Sequence, residues 1–116
     1  MDRAIKKDIT KKYREMEKRF CAPASGKVSC YVCEQCGMTT KVREVDDGLA
    51  PMGIECPYCN ANAICITEGD TAPNIPVTHE WYRPTLDELL AMAETRLFSV
   101  KFALGGGLLR RPCSKN

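Results

Sequence analysis

Four cysteines are spaced to share one metal ion. Cys33-Glu34-Gln35-Cys36-Gly37 and Cys56-Pro57-Tyr58-Cys59-Asn60 are two C-x-x-C pairs, with nineteen residues between Cys36 and Cys56. Two cysteines three apart can fold both thiolates onto one ion in a tight turn, each about 2.3 Å from a zinc. Such a turn needs a residue that tolerates positive φ just after the second cysteine. Gly37 meets this need best, and Asn60 is the next most tolerant choice. Pro57 pre-sets the second turn. Cys33, Cys36, Cys56 and Cys59 are therefore expected to hold one zinc ion per chain, as a closed tetrahedral site with no position for water.

From Val28 to Thr67 the chain resembles the zinc-ribbon class with its rubredoxin-like knuckles. It departs from that pattern in ending the second knuckle on Asn60 rather than glycine. The resemblance implies a structural zinc and a role in binding nucleic acid or protein. The run His79-Glu80-Trp81-Tyr82-Arg83-Pro84, taken with Gly106-Gly107-Leu108-Leu109-Arg110, resembles the tails of small bacterial and phage zinc-ribbon proteins. That likeness brings no activity with it. A rival metal set also exists, because Cys30, Cys33 and Cys36 form C-x-x-C-x-x-C and Cys56-Pro57 supplies a remote fourth ligand. This set resembles the ligands of a four-iron cluster and would make the protein an electron carrier, although it leaves Cys59 unused. On the ribbon reading, Cys30 and Cys65 are inward strand residues, Cys21 and Cys113 are free thiols, and His79 is structural or exposed.

The elements that position the knuckles follow from periodicity. Residues 1–20 read as an amphipathic helix, with Ile5, Ile9, Tyr13, Met16 and Phe20 in one apolar stripe. Directly opposite, Arg3, Lys7, Lys11, Arg14 and Lys18 form a stripe of one sign, suited either to a solvated face or to a phosphate backbone. Residues 27–67 read as short antiparallel strands around the two cysteine pairs, with a turn at Asp46-Asp47-Gly48. Residues 68–84 read as a loop. Thr85-Leu86-Asp87-Glu88 has the form of a capping box and starts a helix over 85–104, which Gly105-Gly106-Gly107 stops before a tail over 105–116. Trp81 and Tyr82 are expected either to clamp that helix onto the ribbon or to offer a stacking platform. The helix has two apolar faces, and the second contains Phe98 and Phe102. That face packs on another element of the chain or joins copies into a homo-oligomer. The fold class expected is a small α+β zinc ribbon flanked by an N-terminal and a C-terminal helix.

Composition narrows the task. A chain of 116 residues with eight cysteines and net charge +2 is one small domain that needs a staple. Residues 1–20 carry +4 and the remainder −2, so a basic helix is attached to a mildly acidic body. The N-terminus lacks an apolar signal region and no apolar run is long enough to span a bilayer, so the expected setting is the reducing cytoplasm. There is no Gly-rich phosphate loop and no H-E-x-x-H motif, and a four-cysteine zinc does not activate water. The sequence thus points to a non-enzymatic adaptor that binds nucleic acid or, alternatively, protein.

Overall fold

The computed structural model describes residues 2–67 and 74–113. The first part of the loop expected over 68–84, and the last three residues of the tail, lie outside them. Three helices pack beside a six-stranded mixed sheet: α1 (Arg3–Arg19), β1 (Val28–Cys33), β2 (Thr39–Glu44), β3 (Gly53–Glu55), β4 (Asn62–Thr67), β5 (His79–Tyr82), α2 (Leu86–Met92), α3 (Leu97–Leu104) and β6 (Leu109–Pro112). The sheet order is β3-β4-β1-β2-β5-β6.

Asp2 caps α1, its carboxylate accepting from the Ala4 amide at 2.8 Å. Ile9, Tyr13 and Met16 of the expected stripe are buried, while Ile5 at its free end is 50% exposed. The buried three meet Leu89, Ala93, Val100 and Ala103 in a helical core. Each of the larger side chains, such as Ile9, Met16, Leu89 and Val100, contributes about 1.5–3 kcal/mol by leaving water. The Tyr13 hydroxyl also donates to the Pro84 carbonyl at 3.3 Å, which ties α1 to the start of α2.

The single helix expected over 85–104 is broken in two. The capping box forms as read, with the Glu88 amide donating to Thr85 Oγ1 and the Thr85 amide to Glu88 Oε1. After Met92, however, the Thr95 and Arg96 amides both return to the Met92 carbonyl, and Arg96 leaves helical geometry at φ −134° and ψ 52°. A straight helix of twenty residues would be about 30 Å long and would carry Val100 and Ala103 past the end of the small core. The break folds α3 back, so that α1, α2 and α3 all touch one another.

Two further expectations are corrected. His79–Tyr82, read as loop, is strand β5, and it runs parallel to β2, so the strands are not all antiparallel. Leu109–Pro112, read as tail, is strand β6 and pairs antiparallel with β5. Neither segment shows long alternation, because each lies at or next to an edge and only Trp81 is sunk into the core. Trp81 meets Tyr31 edge-on, with ring centroids 5.9 Å apart, among Val42, Ala63 and Leu108. At 2% exposure it belongs to the sheet core, packed among strand residues rather than standing free as a stacking platform. Gly106 makes the return to β6 possible. It sits at φ +99°, and a Cβ there would lie 2.1 Å from the Phe20 ring.

Candidate metal centre

Strand pairing brings the knuckles together. The first knuckle is the tip of the β1–β2 hairpin and the second is the tip of the β3–β4 hairpin. β1 and β4 are antiparallel neighbours, with Cys33 opposite Ala63. The end of β1 and the start of β4 therefore lie side by side, and so do the two tips. Each knuckle closes in the same way. The Gly37 amide donates to the Cys33 carbonyl and the Asn60 amide to the Cys56 carbonyl, both at 2.9 Å. The Cys33 amide donates to Met38 and the Cys56 amide to Ala61. Gly37 and Asn60 take positive φ, 73° and 65°, and Asn60 is the one non-glycine residue to do so among those described.

The ligand atoms of Cys33, Cys36, Cys56 and Cys59 all lie within 4.8 Å of one another, so the four could hold a metal ion. Cys33 Sγ is 3.4 Å from Cys59 Sγ, and Cys36 Sγ is 3.7 Å from Cys56 Sγ. A tetrahedron of sulfurs about 2.3 Å from a zinc has edges of about 3.8 Å. The separations are thus close to that edge and far beyond the roughly 2.05 Å of a disulfide. Backbone amides point at the sulfurs as well. Gln35 and Cys36 donate to Cys33 Sγ at 3.4 and 3.5 Å, and Tyr58 to Cys56 Sγ at 3.4 Å.

These donors set the electrostatics. The Cys36 amide, opposed by burial and helped by the Gln35 amide, pulls the Cys33 thiol down to about 6. The Ala61 amide lowers Cys59, but the Cys33 sulfur, burial and the other two sulfurs outweigh it and push that thiol up to about 12. Cys36 is raised on balance, its Met38 amide opposed by burial and by the Cys33 and Cys56 sulfurs. Lowering of Cys33 beside raising of Cys36 and Cys59 is the pattern of close sulfurs that lack a positive charge between them. A divalent cation is what such a donor set fits. Cys33 and Cys56 are buried within the sheet core, while Cys36 and Cys59 face outward.

The rival four-iron set does not assemble. Cys30 is three positions before Cys33 on one strand, so its side chain leaves the opposite face of β1. It is buried there, in register with Lys41. Cys65 lies half-buried on β4, Cys21 is exposed and Cys113 is half-buried. His79 is also outside the cluster, with Nδ1 at 2.7 Å from Thr78 Oγ1, and its pKa is lowered by burial and then by Arg110. The basic stripe is intact on α1. Arg3, Lys7, Lys11, Arg14 and Lys18 are all exposed, and of these Arg14 is paired with Glu17 at 3.2 Å. A shallow groove runs between Arg3, Lys6, Lys7, Thr10 and Lys11.

The sequence did not reveal where two residues lie or what they touch. Lys41 is fully buried although it is a lysine. Arg110 reaches across the molecule to donate from Nη1 to the Glu55 carbonyl at 2.9 Å. No local pattern marks either one, since each depends on a strand pairing over long sequence distance.

Comparison of the chain with protein-family models, with curated proteins and with solved structures finds no match in any of the three. The knuckles themselves therefore carry the likeness to zinc ribbons. No helix among the described residues is long and apolar enough to cross a membrane.

Proposed function

We propose that the chain is a non-enzymatic zinc-ribbon adaptor, stapled by one zinc on Cys33, Cys36, Cys56 and Cys59, that binds nucleic acid through the outer face of α1. A zinc with four cysteine ligands supplies folding energy and keeps no open position, so the site serves to fix the sheet. The single observation behind the nucleic-acid reading is the way α1 is docked. Its buried side is Ile9, Tyr13 and Met16, which leaves Arg3, Lys7, Lys11, Arg14 and Lys18 along the outside. From Arg3 to Lys18 the row is about 22 Å long at the rise of a helix. That length faces about six phosphates of one strand of B-DNA. Asp8 is drawn aside to Lys12 at 3.1 Å and Glu17 pairs with Arg14, so four cations of the row have no carboxylate partner among the described residues.

Binding of this kind is weak, indifferent to base sequence and steep in salt. Four neutralised phosphates give a slope of log affinity against log salt of about −3.6 on duplex DNA. Fluorescence anisotropy with a labelled duplex and a labelled single strand, from low to physiological salt, measures that slope. Absence of binding at low salt to both DNA and RNA would falsify the nucleic-acid reading. Metal analysis of the same preparation tests the zinc separately, with one zinc per chain expected.

A further inference from the structure

The two edges of the sheet, β3 and β6, turn back towards each other. The Leu49 amide donates to the Gly106 carbonyl at 2.8 Å and the Leu108 amide to the Leu49 carbonyl at 2.9 Å, which forms one parallel bridge between Leu49 and Gly107. Beyond it the described backbone forms no further pair between the edges, and the Arg110 side chain alone spans them to Glu55. The fork between these two ties holds an apolar groove of about 350 Å3, open to solvent and lined in part by Pro51, Ile54, Trp81, Phe102, Leu109 and Arg110. Phe98 also lines it, from the rim, and is 85% exposed. On α3 the buried residues are Val100 and Ala103, so Phe98 projects away from the helical core. Its chain neighbour Leu97 and, beside Pro51, Met52 are exposed too.

We propose that this face binds a second copy of the chain about a two-fold axis, each Phe98 ring entering the fork of the other copy. Three features favour a second copy over an unrelated partner. One chain carries both the knob and the hole on the same face, so a two-fold arrangement fills both at once and leaves no open end. Because Phe98 itself borders the hole, the axis passes beside it and the two rings meet each other. The lining holds one charge of each sign, Glu55 and Arg110, which attract each other within the chain, so paired copies bring no excess of like charge together. The hole is also large enough. A cavity of about 150 Å3 accepts benzene, less than half the volume present here. Phe102 belongs to the hole, its ring packed where a Cβ on Gly107 would lie 2.4 Å away.

Sedimentation equilibrium on the 116-residue chain, with reductant to keep Cys21 and Cys113 as thiols, tests this proposal. Between roughly 1 μM and 1 mM the mean mass rises from 12.9 kDa towards twice that value. Phe98→Ser stays at the single-chain mass, with an unchanged circular dichroism spectrum because the ring is solvent-exposed. Trp81, the one tryptophan, walls the hole, so its emission shifts with concentration along the same curve in the parent and stays constant in the variant. Ile54→Glu closes the hole from the other side and has the same effect as Phe98→Ser. A parent chain that remains at 12.9 kDa throughout overturns the proposal, as does a Phe98→Ser chain that pairs as well as the parent.

Discussion

Cys33 and Cys59 sit 3.4 Å apart yet hold their protons in opposite ways. Cys33, lowered to about 6 by amides led by that of Cys36, is mostly thiolate at pH 7. Cys59, where the Ala61 amide is outweighed by neighbouring sulfurs and burial, stays protonated to about 12, and Cys36 is raised as well. Zinc takes all its cysteines as thiolates. Near pH 7 its binding must therefore expel the protons of Cys36 and Cys59, whereas Cys33 has little left to give. Below pH 6 Cys33 must give up a proton too. Apparent zinc affinity thus rises with pH, and more steeply below about 6 than above it. Competition with a chelator at a series of pH values measures this, and a flat profile contradicts it. Cys36→Ser should lose the metal and the melting transition with it, while Cys113→Ser, outside the cluster, should leave both unchanged. Metal content and thermal melts of the two variants check the assignment, and an unaltered Cys36→Ser protein would refute it. At this scale the sequence was most readable. The C-x-x-C spacing, Gly37 and Asn60 encode a turn whose geometry is local, so nothing distant was needed to foresee it.

Among the elements, α1 was legible and the second half of the chain was only partly so. The stripe of Ile9, Tyr13 and Met16 repeats over several turns, and its period gives both the helix and its buried side. The row of cations opposite it leads to a prediction about the element as a whole. Changing Lys7, Lys11 and Lys18 to glutamine removes three charges without touching the buried side. The salt slope should flatten by about 2.7, three contacts at about 0.9 each, with an unaltered thermal midpoint. Anisotropy titrations of parent and variant compare the slopes, and equal slopes would place the contacts elsewhere. The break between α2 and α3 was not legible. Glu94-Thr95-Arg96 contains neither Gly nor Pro, and the apolar positions on both sides read equally well as one helix. What decides the matter is the size of the core that Val100 and Ala103 must reach, a property of α1 and α2 together. Strands β5 and β6 were hidden for a related reason. They are four residues each, and their pairing partners are β2, some forty residues away, and each other.

The whole molecule has two apolar cores, one among the helices and one within the sheet. They are not independent. α2 and α3 lie between β5 and β6 in the chain, so paired strands anchor both ends of the helical pair. Cys33 and Cys56 are members of the sheet core as well as of the metal site. Structural zinc contributes on the order of 10–16 kcal/mol, as much as the whole stability of a small domain. Removal of the ion under reducing conditions should therefore open the sheet, free Trp81 and release the helices in one step. Trp81 emission and helical ellipticity should fall together on adding chelator, and helicity that survives the loss of the tryptophan signal would separate the two cores. The same arrangement has a consequence for biosynthesis. By residue 67 a ribosome has made all four cysteines of the centre and the hairpins that carry them, so the metal can close the knuckles early. It has also made α1, but none of the helices on which α1 rests, since α2 and α3 come from the last third of the chain. Helix α1 is thus made well before the helices that hold it. Throughout synthesis Ile9, Tyr13 and Met16 await a cover that arrives only after Ala103 has emerged.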